Sequence, residues 1–213
     1  GNDAIVKKHL SGGDMYLHAD LHGAPSCSLR ATQGFAIDED PFGQLPPGVA
    51  SYRIVDKLGD ERITDEKLEE AATLALCWSR AWNGGGAHGT VFAVKPAQVS
   101  KSAQTGEYVG KGAFIVRGQR QWFKDLDVQM AVGLVAINGV PLLLGGTVST
   151  IKERCERYAV LSPGRTKKEA LANRIYKATG LRTDDILSIL PGPSEIIEDI
   201  GIFSPFRQET EEE

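Results

Sequence analysis

Residues 15–28, MYLHADLHGAPSCS, carry the strongest structural pattern in the chain. Apolar and polar residues alternate over the first eight positions, which is the period of a strand with one face against a core. A Gly/Pro turn then breaks the alternation, and a second strand is predicted to begin at residue 27. The predicted polar face of the first strand carries three side chains that can form hydrogen bonds or bind a metal ion: His18, Asp20 and His22.

Composition narrows the class of protein. The chain has 213 residues and 41% hydrophobic content, which suits one large domain or a domain with a small appendage. Three cysteines without metal-ligand spacing fit a reducing compartment, and neither a membrane span nor a secretory leader is evident, so we expect a cytoplasmic protein without membrane contacts. A helix predicted at residue 2 with no strand before it suggests a piece of a longer protein.

Charge is unevenly distributed along an overall acidic chain with a net charge of −4. The segment 95–124 holds six basic residues and one acidic residue, a local net charge of +5. Aromatic residues are interleaved with these cations: Tyr108, Phe114, Trp122 and Phe123. Cations beside aromatic rings are the components of RNA binding by phosphate contact and base stacking. A solvated sheet face explains the charge alone equally well.

Helix and strand patterns predict an α+β domain, with a mainly antiparallel sheet, helices packed on it and a small C-terminal helical extension. The clearest helix is predicted over 64–82, capped by Thr64. Strand patterns follow it, and Asn138-Gly139 is typical of a type I′ hairpin turn. The predicted strands after the helix are 90–95, 113–117, 132–137 and 140–144.

Domain boundaries are predicted from turn and capping residues. We expect a main domain at 1–163, a helical extension at 164–202 and a disordered acidic tail at 203–213. The extension is predicted to open with a capping box formed by Thr166 and Glu169. The long stretch 33–61 is predicted to be irregular, apart from a short strand at 50–55.

Two other functions are open from the residues alone. His18, Asp20 and His22 resemble a two-histidine, one-carboxylate metal site, which would make the chain a metal-dependent hydrolase. The acidic stretch 36–70 would suit a protein-interaction scaffold. No phosphate-binding glycine loop is present and nothing requires a catalytic centre, so we expect a protein that is not an enzyme and needs no cofactor.

Three segments together resemble the NFACT-R domain of the NFACT proteins. They are YLHADLHGAPS at 16–26, CWSRAW at 77–82 and VKPAQVSKSAQTGEYVGKGAFIVRGQRQWF at 94–123. The resemblance covers roughly residues 2–145 well and the tail to about residue 200 more loosely. The tail after Pro163-Gly164 suggests an archaeal member, because the shorter bacterial domain lacks it. The stretch 36–62 looks like an insertion relative to shorter family members.

The resemblance implies a function. NFACT proteins act in ribosome-associated quality control on large subunits obstructed by peptidyl-tRNA, where they recruit tRNA. NFACT-R is their RNA-binding part, beside an N-terminal domain, a helix-hairpin-helix and a coiled coil. The implied partners are therefore tRNA, the large ribosomal subunit and those other domains. The family motifs and the basic segment give these candidate RNA-binding residues: Asp20, His22, Gly23, Ser26, Ser100, Lys101, Gly106, Tyr108, Lys111, Arg117, Gly118 and Arg120.

Overall fold

A computed structural model describes residues 2–40, 43–56 and 63–207. The chain forms two units: Gly1–Thr32 with Leu58–Val128, and Gln33–Lys57 with Gln129–Glu213. The boundary predicted at residue 163 is wrong, because that residue lies inside the strand Tyr158–Thr166. The second unit instead includes Gln33–Lys57, a segment from the first half of the sequence.

The described elements are mainly strands with helices packed on them, which confirms the α+β fold class. In chain order they are α1 (Asn2–Ala4), β1 (Met15–Ala19), β2 (Cys27–Leu29), β3 (Gln33–Ile37), β4 (Ala50–Asp56), α2 (Asp65–Cys77), α3 (Arg80–Asn83), β5 (His88–Val94), β6 (Val99–Ser100), β7 (Ile115–Val116), β8 (Gln121–Asp127), β9 (Met130–Ile137), β10 (Val140–Gly146), α4 (Val148–Arg154), β11 (Tyr158–Thr166), α5 (Lys168–Thr179), α6 (Thr183–Ser188) and β12 (Ser194–Ile200). A π-helical turn, Ile5–His9, follows α1. Across the described residues, no helix has the length and apolar character needed to cross a membrane.

The first unit is built on an antiparallel sheet with the strand order β2-β1-β5-β8. Helix α2 packs on one face, against β1, β5 and β8. The other face buries Tyr16, Phe92 and Val94 under apolar residues of the π-helical turn and of the β6–β7 ribbon. The predicted exposed polar face of β1 is therefore wrong for Tyr16, which is only 2% exposed, whereas His18 on the same face is partly exposed.

The long predicted helix begins as expected and ends early. The Thr64 hydroxyl accepts a hydrogen bond of 3.2 Å from the Lys67 backbone N–H, which is the predicted N-cap. Ser79 interrupts the helix, because its extended backbone ends α2 and its hydroxyl caps α3 by accepting a hydrogen bond from the Ala81 N–H. One predicted helix is therefore two, with Trp82 buried on the second.

The second unit contains a sheet with the order β12-β11-β9-β4-β3, to which β10 is added by pairing with β9. The strand predicted at 50–55 is confirmed as β4, which pairs with β9 in parallel. The hairpin prediction is also confirmed, since Asn138 and Gly139 both have positive φ, 50° and 78°. The rest of the stretch predicted to be irregular contains β3, and part of it lies outside the described residues.

Three predictions about the C-terminal part need correction. The segment 164–202 is not purely helical, because β12 pairs with β11. Thr166 belongs to β11, so α5 begins after Lys167 without a side-chain cap, and the capping box is wrong. Residues 202–204 donate backbone hydrogen bonds to the Asp199 carboxylate, so the chain is ordered past the predicted start of the tail, whose residues 208–213 lie outside the described part.

Candidate nucleic-acid interface

A cleft of about 530 Å³ opens on the first unit beside the turn that follows β1. One wall is the turn itself, from Asp20 to Gly23. The lining also includes Lys111 and Phe114, from the loop between β6 and β7, and Arg120, which precedes β8. The histidine turn and the basic aromatic segment are far apart in sequence, and the fold brings them together at this cleft.

A row of rings crosses the sheet beneath the cleft. Strand register places His18 opposite Phe92, and Phe92 opposite Trp122, so the three side chains share one face. The ring centroids of His18 and Phe92 are 5.8 Å apart, and those of Phe92 and Trp122 are 5.6 Å apart. The Arg120 guanidinium lies over this row, 4.4 Å from the Phe92 centroid, in cation–π geometry.

Backbone hydrogen bonds hold the turn that follows β1. Leu21 N–H donates to the Ala19 carbonyl at 2.7 Å, and Ala24 N–H donates to the Leu21 carbonyl at 3.2 Å. The exposed side chains of Asp20 and His22 have no hydrogen-bond partner within the described part of the chain, so neither braces the turn. Both groups remain available to a ligand.

Gly23 allows this turn to form and brings a further cation near it. Its φ of +75° favours glycine, as the sequence pattern predicts. A β-carbon at this position would lie 4.0 Å from the guanidinium of Arg80, an exposed residue of α3. Sequence reasoning missed Arg80 as a neighbour of the turn, because only the fold brings the two together.

The loop between β6 and β7 is tied down by two ion pairs. Lys101 Nζ donates to Asp3 Oδ1 at 2.8 Å and lies 5.4 Å from the centroid of the Phe114 ring. Arg117 Nη2 donates to Glu107 Oε2 at 2.8 Å. These hydrogen bonds are the main reason that the pKa values of both carboxyl groups lie below their usual range. Lys101 and Arg117, two of the predicted RNA-binding cations, are therefore each paired with an acid in the free protein.

Lys111 and Arg120 differ from Lys101 and Arg117 in their charged surroundings. Neither has a carboxylate oxygen within 4.0 Å among residues 2–40, 43–56 and 63–207, and both line the cleft. Their positive charges are therefore not neutralised by a contacting acid in this part of the chain. The cleft combines two such cations with exposed polar groups on the facing turn.

Ser26 has a structural contact in the wall of the cleft. Its hydroxyl is 2.8 Å from the Tyr16 hydroxyl, and its backbone N–H donates to Asn2 Oδ1 at 2.9 Å. Ser26 is only 5% exposed. Burial raises the pKa of the Tyr16 hydroxyl, so both groups of this contact stay neutral at physiological pH.

Four other predicted residues lie away from the cleft wall. Tyr108 is 93% exposed on the loop, and Gly106 nearby has a φ of +90°. Ser100 pairs with Ile115 in the ribbon and accepts a hydrogen bond from the Ser102 N–H. Gly118, with φ +78°, follows the ribbon next to Gln98.

The metal site predicted as an alternative does not form. Strand β1 ends at Ala19, so Asp20 and His22 do not continue its face, and the His18 Nδ1 lies 2.7 Å from the Ala19 carbonyl oxygen. Within the described ranges, no group of three His, Cys, Asp or Glu residues is placed to hold a metal ion. The hydrolase hypothesis lacks the ligand geometry on which it depended.

Comparison with known proteins identifies the family. The family model of the NFACT protein RNA binding domain matches residues 1–118, more than half of the chain. The chain belongs to this NFACT family. Its match includes the histidine turn, Lys111 and Arg117, whereas Arg120 lies just beyond it.

Relatives of this NFACT chain extend the likeness. The archaeal Rqc2 homolog aRqcH of Methanocaldococcus jannaschii is 30% identical over 201 residues, which cover 92% of this chain and 26% of that protein. The ribosome quality control complex subunit NEMF of Homo sapiens is 36% identical over 130 residues, 61% of this chain and 10% of that protein. The chain thus spans about a quarter or less of these relatives' lengths.

A solved structure also resembles this NFACT chain. It is the C-terminal part of the fibronectin/fibrinogen-binding protein from Streptococcus suis, with 18% sequence identity and a TM-score of 0.36. The match covers 72% of this chain and 40% of that one.

Proposed function

We propose that the first unit binds tRNA or large-subunit rRNA through the cleft and its cationic rim. The observation that carries this proposal is the meeting of the histidine turn with Lys111 and Arg120 at one cleft. A cation that no acid contacts can bind a phosphate without first losing an ion pair, and exposed polar side chains can form hydrogen bonds with bases. The membership of the NFACT RNA-binding family agrees with this chemistry.

The candidate residues divide by the contacts that they make. Lys111 and Arg120 would meet phosphates directly. Lys101 and Arg117 would contact phosphates from the rim of the cleft, either while still paired with Asp3 and Glu107 or after those ion pairs break. Asp20 and His22 would bond to base edges, and Tyr108 would stack on a base. The remaining candidates would shape the backbone and the cleft wall: Gly23, Ser26, Ser100, Gly106 and Gly118.

The wider role is proposed from the relatives. Proteins named as ribosome quality control subunits contain a segment similar to this chain, so we propose that it serves such a factor on stalled large subunits that carry peptidyl-tRNA. In that setting it would work in the cytoplasm, beside the other NFACT domains, as a binding module without catalysis of its own. The scaffold alternative loses support because residues 33–57 and 63–70 fall in different units.

The proposal is tested by titrating tRNA, and a duplex RNA of equal length, against the chain over a range of salt concentrations. We expect tRNA binding that weakens steeply with salt, because phosphate contacts release counterions. The double variant Lys111→Gln/Arg120→Gln should weaken it, and a matched variant with the same charge change at Lys167 and Lys177, two exposed lysines of the second unit, should not. Equal binding by both double variants, or no RNA binding at low salt, would exclude the proposed site.

A further inference from the structure

We infer that the cleft receives one unpaired nucleotide. This inference rests on the proposed RNA binding and specifies the form of RNA that the site takes. It depends on two features of the first unit: the size of the cleft and the planar groups that line it.

The size of the cleft suits a single nucleotide. A volume of about 530 Å³ lies in the range of pockets that enclose small ligands. The bases of an RNA duplex are stacked and paired inside the helix, so a duplex could only lie across the opening. A base that is unpaired can leave its stack and enter.

Planar groups are placed to stack on the base. The Arg120 guanidinium lines the cleft and lies 4.4 Å from the centroid of Phe92, which is only 6% exposed and supports it. The His18 ring also lines the cleft, but it already stacks with Tyr16 and Phe92, at 6.4 Å and 5.8 Å between centroids, so Arg120 is the main stacking plane. Imidazole and guanidinium planes are established stacking partners of unpaired bases.

The experiment compares two hairpin RNAs with the complete chain. Both carry one fluorescent adenine analogue in the same stem, unpaired as a bulge in one and paired in the other. We expect the bulged RNA to bind roughly tenfold more tightly, since stacking on a protein ring is worth about that much. Binding should also change the fluorescence of the bulged analogue and leave that of the paired analogue unaltered.

Two substitutions at Arg120 separate stacking from charge. Arg120→Lys keeps the positive charge and loses the planar guanidinium, so the preference for the bulge should fall while the salt dependence stays at the wild-type value. Arg120→Gln removes the charge and should reduce the slope of log affinity against log salt by about 0.7–0.9. Circular dichroism of both variants verifies that the sheet is intact.

The outcomes distinguish this inference from the proposed function. Equal affinity and equal fluorescence change for the two hairpins, with steep salt dependence, would overturn the unpaired-nucleotide inference and leave RNA binding in place. An Arg120→Lys variant with an undiminished preference for the bulge would also overturn it, because the stacking plane is then not needed. If no RNA binds at low salt, the proposed function fails as well.

Discussion

Arg117 Nη2 donates a hydrogen bond of 2.8 Å to Glu107 Oε2, and this ion pair ties the end of β7 to the loop that carries Tyr108. Both side chains are more than a third exposed, at 38% and 39%, so water and salt screen the pair. The hydrogen bond from Arg117 is the largest cause of the lowered pKa of Glu107. A phosphate that binds Arg117 must therefore compete with this carboxylate.

Replacing Glu107 by Gln should strengthen RNA binding. The substitution frees Arg117 and removes a negative charge near the RNA, so we expect higher affinity and a salt slope that is steeper by about 0.7. Fluorescence anisotropy over a salt series measures both quantities. The same charge change at the exposed Glu153 of the second unit is the control and should alter neither. Wild-type values for Glu107→Gln would show that Arg117 makes no phosphate contact.

Lys111→Gln should weaken RNA binding more than any equal change of charge outside the cleft. Lys111 lines the cleft and has no contacting acid in the described chain, so a phosphate that binds it need not displace an ion-paired carboxylate. We expect the salt slope to become shallower by about 0.7–0.9. Lys177→Gln, at an exposed position of α5, is the matched control. Similar losses in the two variants would indicate general attraction without a site.

The Tyr16–Ser26 hydroxyl contact should govern stability and not RNA affinity. Tyr16→Phe and Ser26→Ala each leave one buried hydroxyl without its 2.8 Å partner, and each should cost about 1 kcal/mol of unfolding free energy. The double variant should cost clearly less than the two single changes together. Urea unfolding measures these values. An RNA affinity that falls with Ser26→Ala at unchanged stability would instead assign the Ser26 hydroxyl to the ligand.

Asp14 should make the first unit sensitive to acid. Arg30 donates hydrogen bonds to this buried carboxylate and lowers its pKa from 3.8 to about 2. Because the folded pKa is depressed, the stabilisation is present above pH 3.8 and is lost as the pH falls toward 2. With Arg30 half exposed, we expect about 1–2 kcal/mol.

Urea unfolding at a series of acid pH values tests this expectation. Asp14→Asn should remove that part of the pH dependence, since the amide does not titrate in this range. Arg30→Gln should reduce it as well, because the hydrogen bond from Arg30 is the largest cause of the lowered pKa. Full wild-type pH dependence in Asp14→Asn would assign the acid sensitivity to other groups.

Local sequence patterns predicted those elements whose cause is local. The Thr64 cap and the Asn138-Gly139 turn depend on neighbouring residues, and both form as predicted. Pro163 and Gly164 looked like a boundary, but they lie at an irregularity of β11 against β12. A β-carbon on Gly164 would approach the Glu195 backbone to 2.6 Å, so this glycine permits close strand contact and does not end the domain.

The candidate site was only partly visible in the sequence. Its two halves could be named from motifs and charge, whereas their meeting depends on the pairing of β1 with β5 and of β5 with β8, which are far apart in sequence. Phe92 was missed because it looks like an ordinary residue of a buried strand. The neutralising partners of Lys101 and Arg117 could not be predicted either, since the first lies 98 positions away at Asp3.

The parallel pairing of β4 with β9 has a consequence for the order in which the chain can fold during synthesis. The β3–β4 hairpin leaves the ribosome well before β9 does, yet its place in a larger sheet depends on that strand. Two apolar residues of this hairpin are exposed even in the folded protein: Ile37 is 84% exposed, and Ile54 is about half exposed. Until β9 emerges, the nascent chain presents an incomplete sheet edge, which is where chaperones would be expected to engage it.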